Sequence, residues 1–126
     1  VRAVLQQAQV NAADIAAVGL TGQMHGLTLL DAHGAVIRPC ILWNDQRTAV
    51  QCAAITQAVG AARVLQLTGN PALTGFTAPK LLWVREHEAH NYARIGKVLL
   101  PKDYLRYKLT GEYFGEVSDA SGNFAF

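Results

Sequence analysis

The sequence predicts an α/β domain, and three observations carry that prediction. Residues 1–8 place apolar side chains at helical spacing, and residues 15–21 follow as an apolar, strand-like run. The same helix-then-strand succession returns between residues 77 and 100, where a helical stretch gives way to Lys97-Val98-Leu99-Leu100. Two glycines, Gly22 and Gly26, bracket three bulky residues just past the first run, where open α/β sheets place their ligand crevice. At 126 residues the chain holds one domain with a core and is too short for two ordinary ones.

Taken in order, Val1, Val4, Leu5 and Ala8 define an amphipathic helix ending near Val10, and residues 11–14 connect it to the buried strand expected at 15–21. After the glycine-bracketed loop, two β-prone runs around Asp31-Ala32-His33-Gly34 read as a hairpin that Pro39 ends, and residues 40–43 form a further extended piece. Asn44-Asp45 predicts the cap of a helix running to Val59, with Ala49, Val50, Ala53 and Ile55 as its apolar stripe and Gly60 as its stop. Residues 63–67 make another helical turn, and the turn-forming residues of 68–75 make a surface loop. Thr77 is placed to cap a largely buried helix whose first turn tolerates Pro79. Pro101 opens the next helix, with Arg106 and Lys108 suiting its C-terminal end and Gly111 stopping it. Residues 113–122 are expected to run extended and then loop.

The totals exclude several classes. With 51% apolar and 16% charged residues the chain is globular, and a net charge of +2 with scattered basic residues predicts no nucleic-acid partner. No apolar run approaches the ~18 residues of a membrane span, so no membrane partner is expected. Cys40 and Cys52 lie in dissimilar contexts and read as reduced thiols of a cytoplasmic protein rather than a disulfide. The sequence starts in a helical pattern without Met and ends in an apolar, aromatic run, which predicts an internal piece of a longer protein.

No phosphate-binding GxxxxGK[ST] loop, GxGxxG fingerprint, metal-spaced Cys/His cluster or nucleophile motif is present. What remains are strand-end loops able to converge: Gln23-Met24-His25, Trp43-Asn44-Asp45 and Ser118-Asp119. A sugar presents hydroxyls, which want His, Asn, Gln and Asp, and a C–H face, which wants Trp or Met. A site built to bond hydroxyls also rejects analogues lacking them, because its own polar groups would stay unpaired. Structural roles stand beside each of these. Met24 can pack in a core while His25 faces water, Trp43 can be a core aromatic, Asp45 a helix cap and Asp119 a turn residue. Asp103 reads as a first-turn helix charge before a catalytic group.

Four segments carry a family likeness along nearly the whole chain. Gly75-Phe76-Thr77-Ala78-Pro79-Lys80-Leu81-Leu82-Trp83-Val84-Arg85-Glu86-His87 resembles a signature of the FGGY carbohydrate kinases. Gly22-Gln23-Met24-His25-Gly26, Ile41-Leu42-Trp43-Asn44-Asp45-Gln46-Arg47 and Leu99-Leu100-Pro101-Lys102-Asp103-Tyr104-Leu105 resemble its bacterial ketose-phosphorylating branch more narrowly. The resemblance implies part of an actin-like, ribonuclease H-like ATPase domain, a mixed sheet with flanking helices, occupying residues 1–126 of the first of two kinase domains. It implies transfer of the ATP γ-phosphate, with Mg2+, to the terminal hydroxyl of D-xylulose. Met24 and His25 match the family's sugar site, with Gln23, Trp43, Asn44 and Asp45 near it. Lys80 and Trp83 belong to the signature and read as packing and placement, the Lys80 tip reaching a loop or a carboxylate.

The resemblance also implies what lies elsewhere. The phosphate hairpin and opening strands are expected before Val1, and the catalytic aspartate beyond Phe126, so no catalytic residue and no bound ATP or metal are expected of this stretch alone. An uncovered sheet edge predicts self-association of the isolated chain, with the parent protein a candidate homodimer. Kinases of the same family for ribulose, fuculose, gluconate or glycerol are the near alternatives, and Met24-His25 is the discriminating feature. A non-catalytic sugar-binding or interaction module on the same fold is the alternative from another class.

Overall fold

A computed structural model describes residues 1–121. Helix α1 (Arg2–Ala8) and a 3-10 turn (Ala12–Asp14) precede strand β1 (Thr28–Leu30). Helices α2 (Ala49–Val59), α3 (Ala61–Thr68), α4 (Thr77–His87) and α5 (Ala89–Ala93) lead to strand β2 (Lys97–Leu99). Helices α6 (Pro101–Thr110) and α7 (Val117–Ser121) follow.

The centre is the apolar run 27–30, buried at every position. β1 pairs antiparallel with β2 in the register Thr28↔Leu99, Leu29↔Val98, Leu30↔Lys97. On its other edge the chain folds back as the predicted hairpin, through the bridges Leu30↔Val36 and Leu27↔Ile41. The turn is held by Asp31, whose Oδ1 accepts from the N–H groups of His33 (2.9 Å) and Ala35 (3.0 Å), with Gly34 at φ +81°. The backbone hydrogen bond from Ala35 leads the contacts that hold the Asp31 carboxyl below its ordinary range. Leu27, Leu29, Ile41 and Val84 form the core, with Leu81, Trp83, Ile95 and Val98 packed around them, so α4 closes one face of the sheet. Gly96 donates to Leu30 O at 2.8 Å, and a Cβ there would lie 2.7 Å from Ala32 N, so the backbones cross where only glycine fits.

The local stops fall as expected. Gly60 ends α2 and Gly111, in the left-handed region, ends α6; α3 runs to Thr68 and is closed by Gly69, which the sequence offered only as part of a loop. Cys40 and Cys52 are free thiols. Among the described residues no helix is long and apolar enough to cross a membrane.

Five expectations are corrected. Residues 15–21 run without a ladder partner among the described residues, and Val18 is 64% exposed, because an apolar run becomes a strand only where a neighbour takes its N–H and C=O groups. Helix α2 starts at Ala49, because Asp45 spends its carboxylate on Arg47: Oδ1 accepts the Arg47 N–H at 3.0 Å and the guanidinium closes on both oxygens. Its buried face is Thr48, Gln51 and Cys52, while Val50 points to solvent; Gln51 Nε2 donates to Glu86 Oε2 at 2.6 Å, so the α2–α4 contact is partly polar. Thr77 is the first residue of α4 rather than its cap, and its hydroxyl serves another loop. Residues 117–121 are helical because Glu116 accepts from the N–H groups of Ser118 (2.9 Å) and Asp119 (3.0 Å), an acidic cap on the first turn.

Candidate functional site

The loop 22–26 enters β1 from the side facing α4 and α6. Its sharp bend is made by His25, at φ +58°, and not by either glycine. Gly26 serves close approach instead: a Cβ there would sit 2.6 Å from Pro101 Cγ, at the start of α6. A Cβ on Gly22 would meet Lys102 Cβ at 3.2 Å.

The turned His25 presents its two ends differently. Its carbonyl accepts from Thr77 Oγ1 at 3.3 Å and from Lys80 Nζ at 2.9 Å. Its ring meets Phe76 edge-on, with centroids 4.7 Å apart and planes at 72°. A groove of about 510 Å³ opens there, lined by Met24, His25, Asn70, Phe76, Ser118 and Asp119. Across Met24 lies a second hollow of about 260 Å³, lined by Gly22, Gln23, Met24 and Trp43. Met24 (57% exposed) and Trp43 (55% exposed) are therefore presented to this surface rather than spent in the core.

Asp119 reaches the groove from α7 and is fixed there by Lys102, at 2.6 Å; Lys102 also contacts Asp103 at 3.2 Å. Partial burial works against the Lys102 ammonium, but its hydrogen bonds to Asp119 and Asp103 outweigh this and hold its pKa above the ordinary lysine range. Asp103 lies in the first turn of α6 and is buried beside that lysine.

Thus the structure brings Gln23, Met24, His25 and Trp43 to one surface, with Asp119 and Ser118 opposite. Asn44 and Asp45 line neither hollow. Asn44 is exposed, and its carbonyl accepts from Gln46 Nε2 at 3.4 Å. Asp45 is occupied by Arg47, whose side-chain hydrogen bonds are the main cause of its lowered pKa; that guanidinium also lies 4.8 Å from the Trp83 ring centroid. Asn70 and Phe76 escaped sequence reasoning. Asn70 sits in a stretch legible only as a turn, and Phe76 lies inside a family signature without any spacing of its own. Lys80 ends on a loop: its Nζ donates to the carbonyls of His25 and Gly75.

An α/β scaffold with a groove of mixed polar and aromatic lining has the chemistry to take a small polar ligand. The match to the FGGY family of carbohydrate kinases, N-terminal domain, spans residues 1–126, and the chain belongs to that family. Its fold is accordingly that of the actin-like, ribonuclease H-like ATPases. Among particular proteins, it is 55% identical over 109 residues to the xylulose kinase of Escherichia coli (strain K12), covering 86% of this chain and 22% of that protein. It is 50% identical over 113 residues to the xylulose kinase of Staphylococcus xylosus, covering 90% and 23%. A crystal structure of a xyloylose kinase from Brucella ovis superposes with a TM-score of 0.89 at 49% identity, covering 98% of this chain and 25% of that one. The chain thus spans about a quarter of the length of the relatives it matches.

Proposed function

We propose that residues 1–126 form the sugar-facing part of a cytoplasmic xylulose kinase, which transfers the ATP γ-phosphate to the terminal hydroxyl of D-xylulose and gives D-xylulose 5-phosphate. The observation that carries this reading is the groove at Met24 and His25, in a chain about half identical to two xylulose kinases. His25, Asn70 and Asp119 offer directional partners to hydroxyls, while Met24, Phe76 and Trp43 offer apolar surface to the C–H face. Gln23 stands at the mouth of the second hollow. Asn44 and Asp45 act in this reading by shaping the turn that presents Trp43.

Among the described residues no three metal-ligating side chains come together. The catalytic aspartate and the contacts to ATP and Mg2+ belong, in this proposal, to the remainder of the kinase. What this chain supplies is orientation: a fixed wall that holds the ketose so that its terminal hydroxyl points toward the cleft.

The test is a chimera in which residues 1–126 replace the matching segment of the Escherichia coli xylulose kinase. The chimera turns over D-xylulose and not glycerol, and His25→Ala raises the KM for xylulose roughly 10-fold or more, the loss of a hydrogen bond to a buried polar partner. A folded chimera that prefers glycerol, or an unchanged KM in the His25 variant, refutes the assignment.

A further inference from the structure

Lys80 is fully buried, with 0% exposure, on the helix that closes the core. Among the described residues it forms no ion pair; its ammonium ends on two backbone carbonyls. Burying an unpaired ammonium is costly, and an apolar side chain of similar volume would fill the same space at less expense to stability. The two carbonyls belong to His25 and Gly75, which lie in loops fifty residues apart in sequence. Each loop carries one ring of the aromatic contact at the groove, His25 itself and Phe76, the neighbour of Gly75.

We propose that Lys80 is a positioning residue for the groove: by binding both carbonyls it sets the left-handed turn of His25 and the separation of the Met24–His25 loop from Phe76. The inference rests on the sugar-site reading above and adds to it the part that holds the wall in register. Thr77, one helical turn earlier, supports the same carbonyl with its hydroxyl, so the Gly75 carbonyl is where Lys80 matters most.

The charge on this lysine is also within reach of ordinary alkaline pH. Desolvation brings its pKa from 10.5 down to about 8, opposed by Cys40, Asp45 and Cys52. Cys40 faces it from the segment after the hairpin, Asp45 from the turn before α2, Cys52 from α2, and His25 from the loop it holds. A neutral amine donates more weakly than an ammonium, so the clamp loosens as pH rises through about 8.

The experiment uses the same chimera, unmodified and as Lys80→Met and His25→Ala, with D-xylulose KM and kcat measured from about pH 7 to about pH 9.5. In the unmodified protein KM rises as pH passes about 8 while kcat changes less. In Lys80→Met the KM at neutral pH is already raised roughly 5- to 50-fold and its alkaline rise is gone. A Lys80→Met protein with the unmodified KM and pH profile overturns the proposal. Should that variant fail to fold, Lys80→Gln, whose shorter amide cannot reach both carbonyls, serves in its place, and an unmodified KM in that protein overturns the proposal equally. If His25→Ala raises KM and Lys80→Met does not, only the role of Lys80 fails. If neither does, the sugar-site reading fails with it.

Discussion

The buried ammonium makes the stability of this chain depend on pH in a direction set by its sign. The unfolded chain keeps the Lys80 proton up to about pH 10.5, whereas the folded chain releases it near 8. Between those values the unfolded state binds more protons, so stability rises with pH. At about 1.4 kcal/mol per pH unit, the gain from pH 8 to about pH 9.5 is on the order of 2 kcal/mol, before the two carbonyl acceptors, which favour the charged form, trim it. Lys80→Met removes the titration. It also removes the cost of the buried charge while leaving the Gly75 carbonyl without this donor, about 1–3 kcal/mol against it, so near neutral pH the two terms largely offset. Urea denaturation of both chains at about pH 7.5 and about pH 9.5 reads the difference directly. Tyr113, which its hydrogen bond with Tyr107 and burial hold well above the ordinary tyrosine pKa, is common to both chains; Cys52, pushed up by burial, is partly held down by the Lys80 charge and loses that restraint in Lys80→Met. Parallel changes with pH in the two chains would refute the reasoning, and so would a loss of more than about 4 kcal/mol in the variant at neutral pH.

Two further outcomes follow from packing. Gly96→Ala places a methyl group against the backbone of Asp31 and Ala32, and denaturation should show a loss of roughly 2 kcal/mol or more, whereas Gly19→Ala, with open space around it, should change stability by less than about 1 kcal/mol in either direction. The isolated chain should self-associate, since Val4, Leu5, Ile15 and Val18 line an open apolar hollow of about 500 Å³ beside the unpaired segment 15–21; a monomer by light scattering at high concentration would count against this.

What sequence made legible is what neighbours in sequence decide. Gly60 and Gly111 stop their helices, Pro101 opens α6, and Asp31 with Gly34 turns the hairpin, each through contacts within a few residues. The misreadings of residues 15–21, of the α2 face and of Thr77 turn on groups far along the chain, whereas those of the α2 start and of residues 117–121 come from local turns, Asp45 with Arg47 and Glu116 with Ser118. An apolar run at 15–21 looks like a strand whether or not a neighbour exists to pair with it. The buried side of α2 is fixed by Glu86, 35 residues beyond Gln51, so the apolar stripe pointed the wrong way. Thr77 has the chemistry of a cap, but the His25 carbonyl, 52 residues away, takes its hydroxyl. In the candidate site Met24, His25 and Trp43 stood out by residue type, whereas Asn70 and Phe76 enter only because α4 carries their loop to the groove.

The pairing of Thr28 with Leu99 has a consequence for biosynthesis. At a ribosome the residues of β1 emerge while roughly seventy more, including all of β2, are still to be made, which at about 5–20 residues per second takes some 4–14 seconds. Throughout that interval Leu27, Leu29 and Leu30 lack β2, the hairpin being the shelter that the following residues supply first, and His25 waits for a lysine that arrives 55 residues later. The groove is therefore among the last features of this chain to take shape during synthesis, and the nascent segment around β1 is where a chaperone that binds short apolar stretches has its opportunity.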